Sequence, residues 1–142
     1  MPIYAKEIVT AAASDKKTVI SLRGDYITYI NIRFPPGSLG LLKVQFFYGN
    51  LQIFPEESGN YFNGDDEVIA WEEFWEIPGE LEPLTIYTKN EDEYYDHAVL
   101  IRIVTKYRKE LIADLIANAV FKKFKAFVNA VIAALGFATK RE

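Results

Sequence analysis

Up to about residue 105, glycine, proline, asparagine and aspartate recur at short intervals, and β-branched and aromatic residues fill the spaces between them. Runs of this kind, bounded by turn formers, read as strands. They are IYAKEIV (3–9), TVISLR (18–23), YITYINIRF (26–34), LLKVQFFY (41–48), LQIF (51–54), EVIAWEEFWEI (67–77), LTIYT (84–88) and HAVLIRIVT (97–105). The punctuation is Gly24-Asp25, Pro35-Pro36-Gly37, Gly49-Asn50, Asn63-Gly64-Asp65, Pro78-Gly79 and Asn90. Tyr48-Gly-Asn-Leu51 spells a two-residue hairpin, because glycine and asparagine tolerate positive φ. In YITYINIRF the even set (Tyr26, Thr28, Ile30, Ile32, Phe34) is the expected core face, and Ile27, Tyr29, Asn31 and Arg33 the outer one. Eight short strands with no helix between them give a mainly β chain, an antiparallel sandwich or small barrel. A jelly roll is the first choice; the order of the strands does not follow from the sequence.

The end of the chain is different. LIADLIANAVFKKFKAFVNAVIAALGF (111–137) contains 20 apolar residues out of 27 and reads as a long C-terminal α-helix. Charge divides at the same place. Residues 1–105 carry 8 Lys and Arg against 17 Asp and Glu, whereas residues 106–142 carry 8 against 3. The expected organisation is therefore an acidic β-sandwich (1–105) and a basic, largely apolar helix (106–142) used for assembly. The first segment repels nucleic acid and anionic lipid, and the second can approach either. Half of the 142 residues are hydrophobic and 15% are aromatic, enough for a packed core. The absence of cysteine removes disulfides, thiolate catalysis and cysteine-held metal sites.

Around the helix, Asp114, Asn118, Lys122, Lys125 and Asn129 fall in one stripe roughly 80° wide, and almost everything else except Lys123 is apolar. One packed face uses about 100° of apolar surface, so a second apolar face is left for a partner. Phe121, Phe124, Val128, Val131, Leu135 and Ala138 follow a 3-4-3-4-3 spacing, a short coiled-coil seam. Ala126, Ala130 and Ala134 recur every fourth residue and allow close backbone approach. Together with Phe127 these side chains are the expected interface, with another copy of the chain or with another protein. Packing across the sandwich alone and binding to an anionic membrane surface are the two other readings. For the latter, Lys106, Arg108, Lys109, Lys122, Lys123, Lys125, Lys140 and Arg141 could meet headgroups. A transmembrane span is not expected, since the lysine cluster interrupts the run and each central lysine costs about 2.5–3.5 kcal/mol. The N-terminus shows no basic region followed by an apolar core, so no signal peptide is expected, and location stays open between a virion and the cytoplasm.

Little in the sequence suggests catalysis. The acidic clusters 65–67, 72–76 and 91–96 do not follow the EF-hand spacing. Asp65 and Asp66 are the best oxygen ligands should a cation bind; a solvated acidic rim is the expected state, and no cofactor is expected. Glu73 and Glu76 are a nominal carboxylate pair for glycoside hydrolysis. His97 adjoins Asp96 but has no serine or cysteine nucleophile marked by a sharp turn. Trp71 and Trp75 share one strand face with Ile69 and Ile77. Buried, they are core, the reading that alternation favours because Glu72 and Glu76 occupy the other face; exposed, they form a sugar-stacking platform, with Tyr94 and Tyr95 as a second candidate contact. Arg23-Gly24-Asp25 matches a cell-adhesion tripeptide of common residues. No aromatic-basic reading platform or helix-turn-helix pattern points to sequence-specific nucleic acid.

The segments FPPGSLGLLKVQFFYGNLQIFP, GDDEVIAWEEFWEIP and NEDEYYDHAVLIRI give residues 26–103 a resemblance to small single-jelly-roll β-sandwich proteins of virus-like origin in thermophiles. The resemblance does not include the helix and brings no active site. It implies a virion-associated or capsid-like structural protein. The expected function is thus a non-enzymatic structural protein that oligomerises through its helix; a carbohydrate-binding module and a peripheral membrane protein are the alternatives.

Overall fold

The computed structural model describes residues 1–79 and 83–136. The chain divides into two compact units, Met1–Tyr107 and Arg108 onward. The first holds eight strands: β1 (Ile3–Thr10), β2 (Asp15–Ile20), β3 (Tyr26–Phe34), β4 (Leu42–Tyr48), β5 (Leu51–Phe54), β6 (Glu67–Glu76), β7 (Leu84–Asn90) and β8 (His97–Lys106). They form two four-stranded antiparallel sheets, ordered β1-β8-β3-β6 and β2-β7-β4-β5. The partners β1·β8, β2·β7, β3·β6 and β4·β5 are those of one long hairpin rolled onto itself. Rolling then adds β3·β8 and β4·β7, completing a jelly roll.

Among the described residues, the β4–β5 hairpin is the one pairing made by a tight local turn. Tyr48 opposes Leu51, and Gly49 takes φ 61° while Asn50 stays at negative φ. This is the primed-turn geometry that puts glycine at the first central position. Alternation then sends one face of each strand inward. Leu42, Val44 and Phe46 of β4 meet Leu84 and Ile86 of β7, Val99, Ile101 and Ile103 of β8, and Ile30, Ile32 and Phe34 of β3 in the core.

The expected alternation of β3 fails in its first half. Ile27 is fully buried, whereas Tyr26 and Thr28 are only half-buried. The register shifts between Ile27 and Tyr29 against both neighbours, so the strand carries a β-bulge there. An extra residue in the ladder exchanges the faces on one side of it. The even set is core after the bulge, and Ile27 replaces it before.

The second unit holds α1 (Arg108–Ala134), 27 residues rich in alanine and unbranched side chains. Only Tyr107 separates it from β8. Its C-terminus is closed by Gly136, whose φ of 78° suits the residue after a helix cap and whose N–H donates to the Ala133 carbonyl at 3.1 Å. Among the described residues, no helix is long and apolar enough to cross a membrane.

Candidate functional site

Two features stand out: an aromatic cleft on the sandwich and the surface of α1. The cleft lies where both sheets end. β6 pairs only with β3, and β5 only with β4, so these two edge strands flank an opening of about 660 Å³. Alternation along β6 turns Trp71, Glu73 and Trp75 toward it, each half-buried, with Ile69 half-buried on the same strand face, while Glu72, Phe74 and Glu76 face water. From the opposite wall β5 supplies Phe54. Phe62 is held against β4 by paired backbone hydrogen bonds with Val44, both 2.9 Å.

The rings pack edge-on. Phe54 sits 5.6 Å from Trp71 and 6.4 Å from Trp75, Tyr48 is 5.4 Å from Trp75, and Phe62 lies tilted at 5.2 Å from Trp71. The core placement that alternation favours for the two tryptophans is only part of their position. They pack against the core and also line an accessible cleft. Glu73 stands between them, accepting the Trp71 indole N–H at 3.1 Å and the Phe74 backbone N–H at 3.0 Å.

Gln52 fixes the rim. Its amide nitrogen donates to the carbonyls of Pro55 (2.8 Å), Glu57 (3.2 Å) and Asn60 (2.9 Å), and its oxygen accepts the Gly59 N–H at 3.0 Å. Gln45 donates to the Asn60 carbonyl as well, at 2.9 Å. Loop 55–60 is thus wrapped around one side chain. Gln52 and Phe62 were not singled out in the sequence, and Glu73 was noted there only as half of a nominal carboxylate pair. The inward parity of Glu73, two residues from each tryptophan, was the available signal; nothing local marks the other two.

The remaining candidates lie elsewhere. Tyr94 and Tyr95 are 81% and 69% exposed and do not line the cleft. Their backbone N–H groups donate to Asp92, which also pairs with His97 Nε2 at 2.8 Å. Those N–H groups, Tyr94 foremost, together with His97, hold the Asp92 carboxyl below its ordinary range. The sequence neighbour of His97, Asp96, instead accepts the Ala12 N–H at 3.0 Å. The Asp92–His97 pair closes a loop.

Asp65 is likewise occupied by backbone. It accepts the N–H groups of Leu39 (3.2 Å) and Gly37 (2.7 Å), which depress its carboxyl pKa, while Ser38 donates to the Gly64 carbonyl at 2.6 Å. The loop 63–66 is therefore stapled to the loop 35–41. Among the described residues no three acidic or histidine side chains converge as a metal site. Glu73 and Glu76 lie three apart on β6 and face opposite sides, so they are not a facing carboxylate pair. The Arg23-Gly24-Asp25 tripeptide is stitched into the sandwich: Asp25 N–H donates to the Lys106 carbonyl at 2.9 Å, and Ile77 N–H to the Asp25 carbonyl at 2.8 Å.

On α1 no residue is buried. Phe121, Phe124 and Phe127 are each more than 60% exposed, Leu135 is 63% exposed and Val131 40%. Val128 is half-buried. Ile112, Leu115, Ile116 and Val120 extend the apolar surface toward the N-terminal end. Ala138, Lys140 and Arg141 lie outside the described residues.

No family model and no curated protein matches the chain. Among solved structures it is similar to the crystal structure of FlhE, with 10% identity and a TM-score of 0.41 over 75% of this chain and 97% of that one. It is also similar to a protein of the Bacillus endospore appendages, described as a novel family of disulfide-linked pili, with 11% identity and a TM-score of 0.40 over 74% and 88%. Likeness at this level gives no ground for transferring a role.

Proposed function

We propose that the protein is a non-enzymatic structural protein that assembles with further copies of itself through α1. The observation that carries this reading is a 27-residue helix with no buried residue and an almost continuous apolar surface. Burying one large apolar side chain is worth about 1.5–3 kcal/mol, so a surface of this extent favours a partner over water. Two features favour a second copy as that partner. The 3-4 spacing from Phe121 to Leu135 is self-complementary in the manner of a coiled-coil seam. The excess of positive charge from residue 106 onward also complements the acidic first segment of a neighbouring copy. The sandwich then serves as a rigid acidic body. A virion or particle setting rests on the resemblance of residues 26–103 alone.

Sedimentation velocity on the intact chain tests the reading. An oligomer is expected for the wild type, and the double variant Phe124→Asp/Val131→Asp should sediment as a monomer with an unchanged β-sheet circular dichroism signal. A monomeric wild type overturns self-assembly. If that monomer floats with anionic liposomes, the helix is a membrane-surface element instead.

A further inference from the structure

We infer that the cleft between β5 and β6 is a binding site for a small organic cation of the alkylated-ammonium class. The inference is independent of assembly through α1. It starts from what the cleft still has to offer once internal hydrogen bonds are counted. The Trp71 indole N–H is used by Glu73, and the Gln52 amide N–H groups are used by loop 55–60. The residues that line the opening include two carboxylate side chains, Glu73 and Glu56, and four aromatic ones, Trp71, Trp75, Phe54 and Phe62, beside the apolar Leu51 and Ile53.

Among the described residues, no lysine, arginine or histidine lines the opening, and the Glu73 carboxylate accepts from two neutral N–H donors. A half-buried carboxylate flanked by tryptophans and lacking a counter-charge is complementary to a cation. Indole faces attract such a group through their quadrupole, most strongly when water is excluded. A methylated ammonium suits this better than a primary one. It needs few hydrogen bonds, it is cheaply desolvated, and its methyl groups contact aromatic rings. The opening of about 660 Å³ admits a group of this size. The excess of acidic residues in the first 105 positions adds a favourable long-range field.

The chain contains only two tryptophans and both line the cleft, so intrinsic fluorescence reports on it directly. The intact protein is titrated with choline chloride, with sodium chloride at matched ionic strength, with the neutral isostere 3,3-dimethylbutan-1-ol, and with methyl β-glucoside. A saturable change with choline alone is expected, weakened at least tenfold in Glu73→Gln, a substitution that keeps an acceptor for the Trp71 N–H. Glu56→Gln, at the rim, should weaken it less and serves as the second variant if Glu73→Gln melts early. Absence of saturation beyond the salt control overturns the inference. So does an equal response to the neutral isostere, or a choline response unchanged in both variants. A saturable response to the glucoside without one to choline overturns it in favour of a carbohydrate site.

Discussion

Gly24 illustrates how much one residue can be asked to do. It takes φ 115°, and a Cβ there would come within 2.8 Å of Thr105 Oγ1 and 3.0 Å of Thr105 Cβ. Backbone strain in this region costs of order 1–3 kcal/mol for residues other than glycine, and β8 leaves no room to relax. Gly24→Ala is therefore expected to destabilise the sandwich by about that amount, read as a lower urea midpoint at unchanged slope. The presence of glycine between Arg23 and Asp25 is explained by the fold, without recourse to adhesion. Two carboxylates give the same scale a pH dependence. Asp65 and Asp92 are held below their ordinary pKa by backbone N–H donors, so their ionised forms are favoured by folding. That stability is fully present above the unfolded carboxylate value of about 3.9 and is lost as pH falls through the lower folded values. Thermal melts from pH 5 to pH 2.5 should show a steep acid limb, flattened in Asp65→Asn and in Asp92→Asn. An unchanged limb in both variants would show that these contacts do not reach the folding equilibrium.

At the scale of elements, the strands were legible because each carries its own instructions. Alternating apolar residues and flanking glycines placed all eight to within a few residues. The largest shift is in β2, which starts at Asp15 rather than Thr18 and ends at Ile20. Sequence spacing could not place the bulge in β3, because the extra residue is defined against β6 and β8 and not within the strand itself. The helix was legible for a different reason. Its period and its narrow polar stripe are local properties, although the reading by period carried the helix past Gly136, the residue that closes it.

At the scale of the molecule, the two sheets are joined by more than apolar packing. Thr10 of β1 and Thr88 of β7 are buried and hydrogen-bonded to each other at 2.8 Å across the sandwich. Beside them Asn90 donates to the carbonyls of Thr10 (3.1 Å) and Tyr95 (2.8 Å) and accepts the Asp92 N–H at 2.9 Å. A polar group left unmatched in a core costs about 1–3 kcal/mol. Thr88→Val should thus destabilise by about that amount in chemical denaturation, and Thr10→Val/Thr88→Val by less than the sum of the two single changes.

The amino-acid order alone determined the strands, the two-residue β4–β5 hairpin, the terminal helix and the charge division, since each rests on neighbours within a few residues. Tertiary structure decided which strands meet. Ile3 opposes Val104, a pairing that no local signal specifies and that only a shared core can enforce. The same folding made the cleft. It carried Phe54, Phe62 and Gln52 to the edge where β6 presents Trp71, Glu73 and Trp75, turning a tryptophan pair into a walled, acidic site.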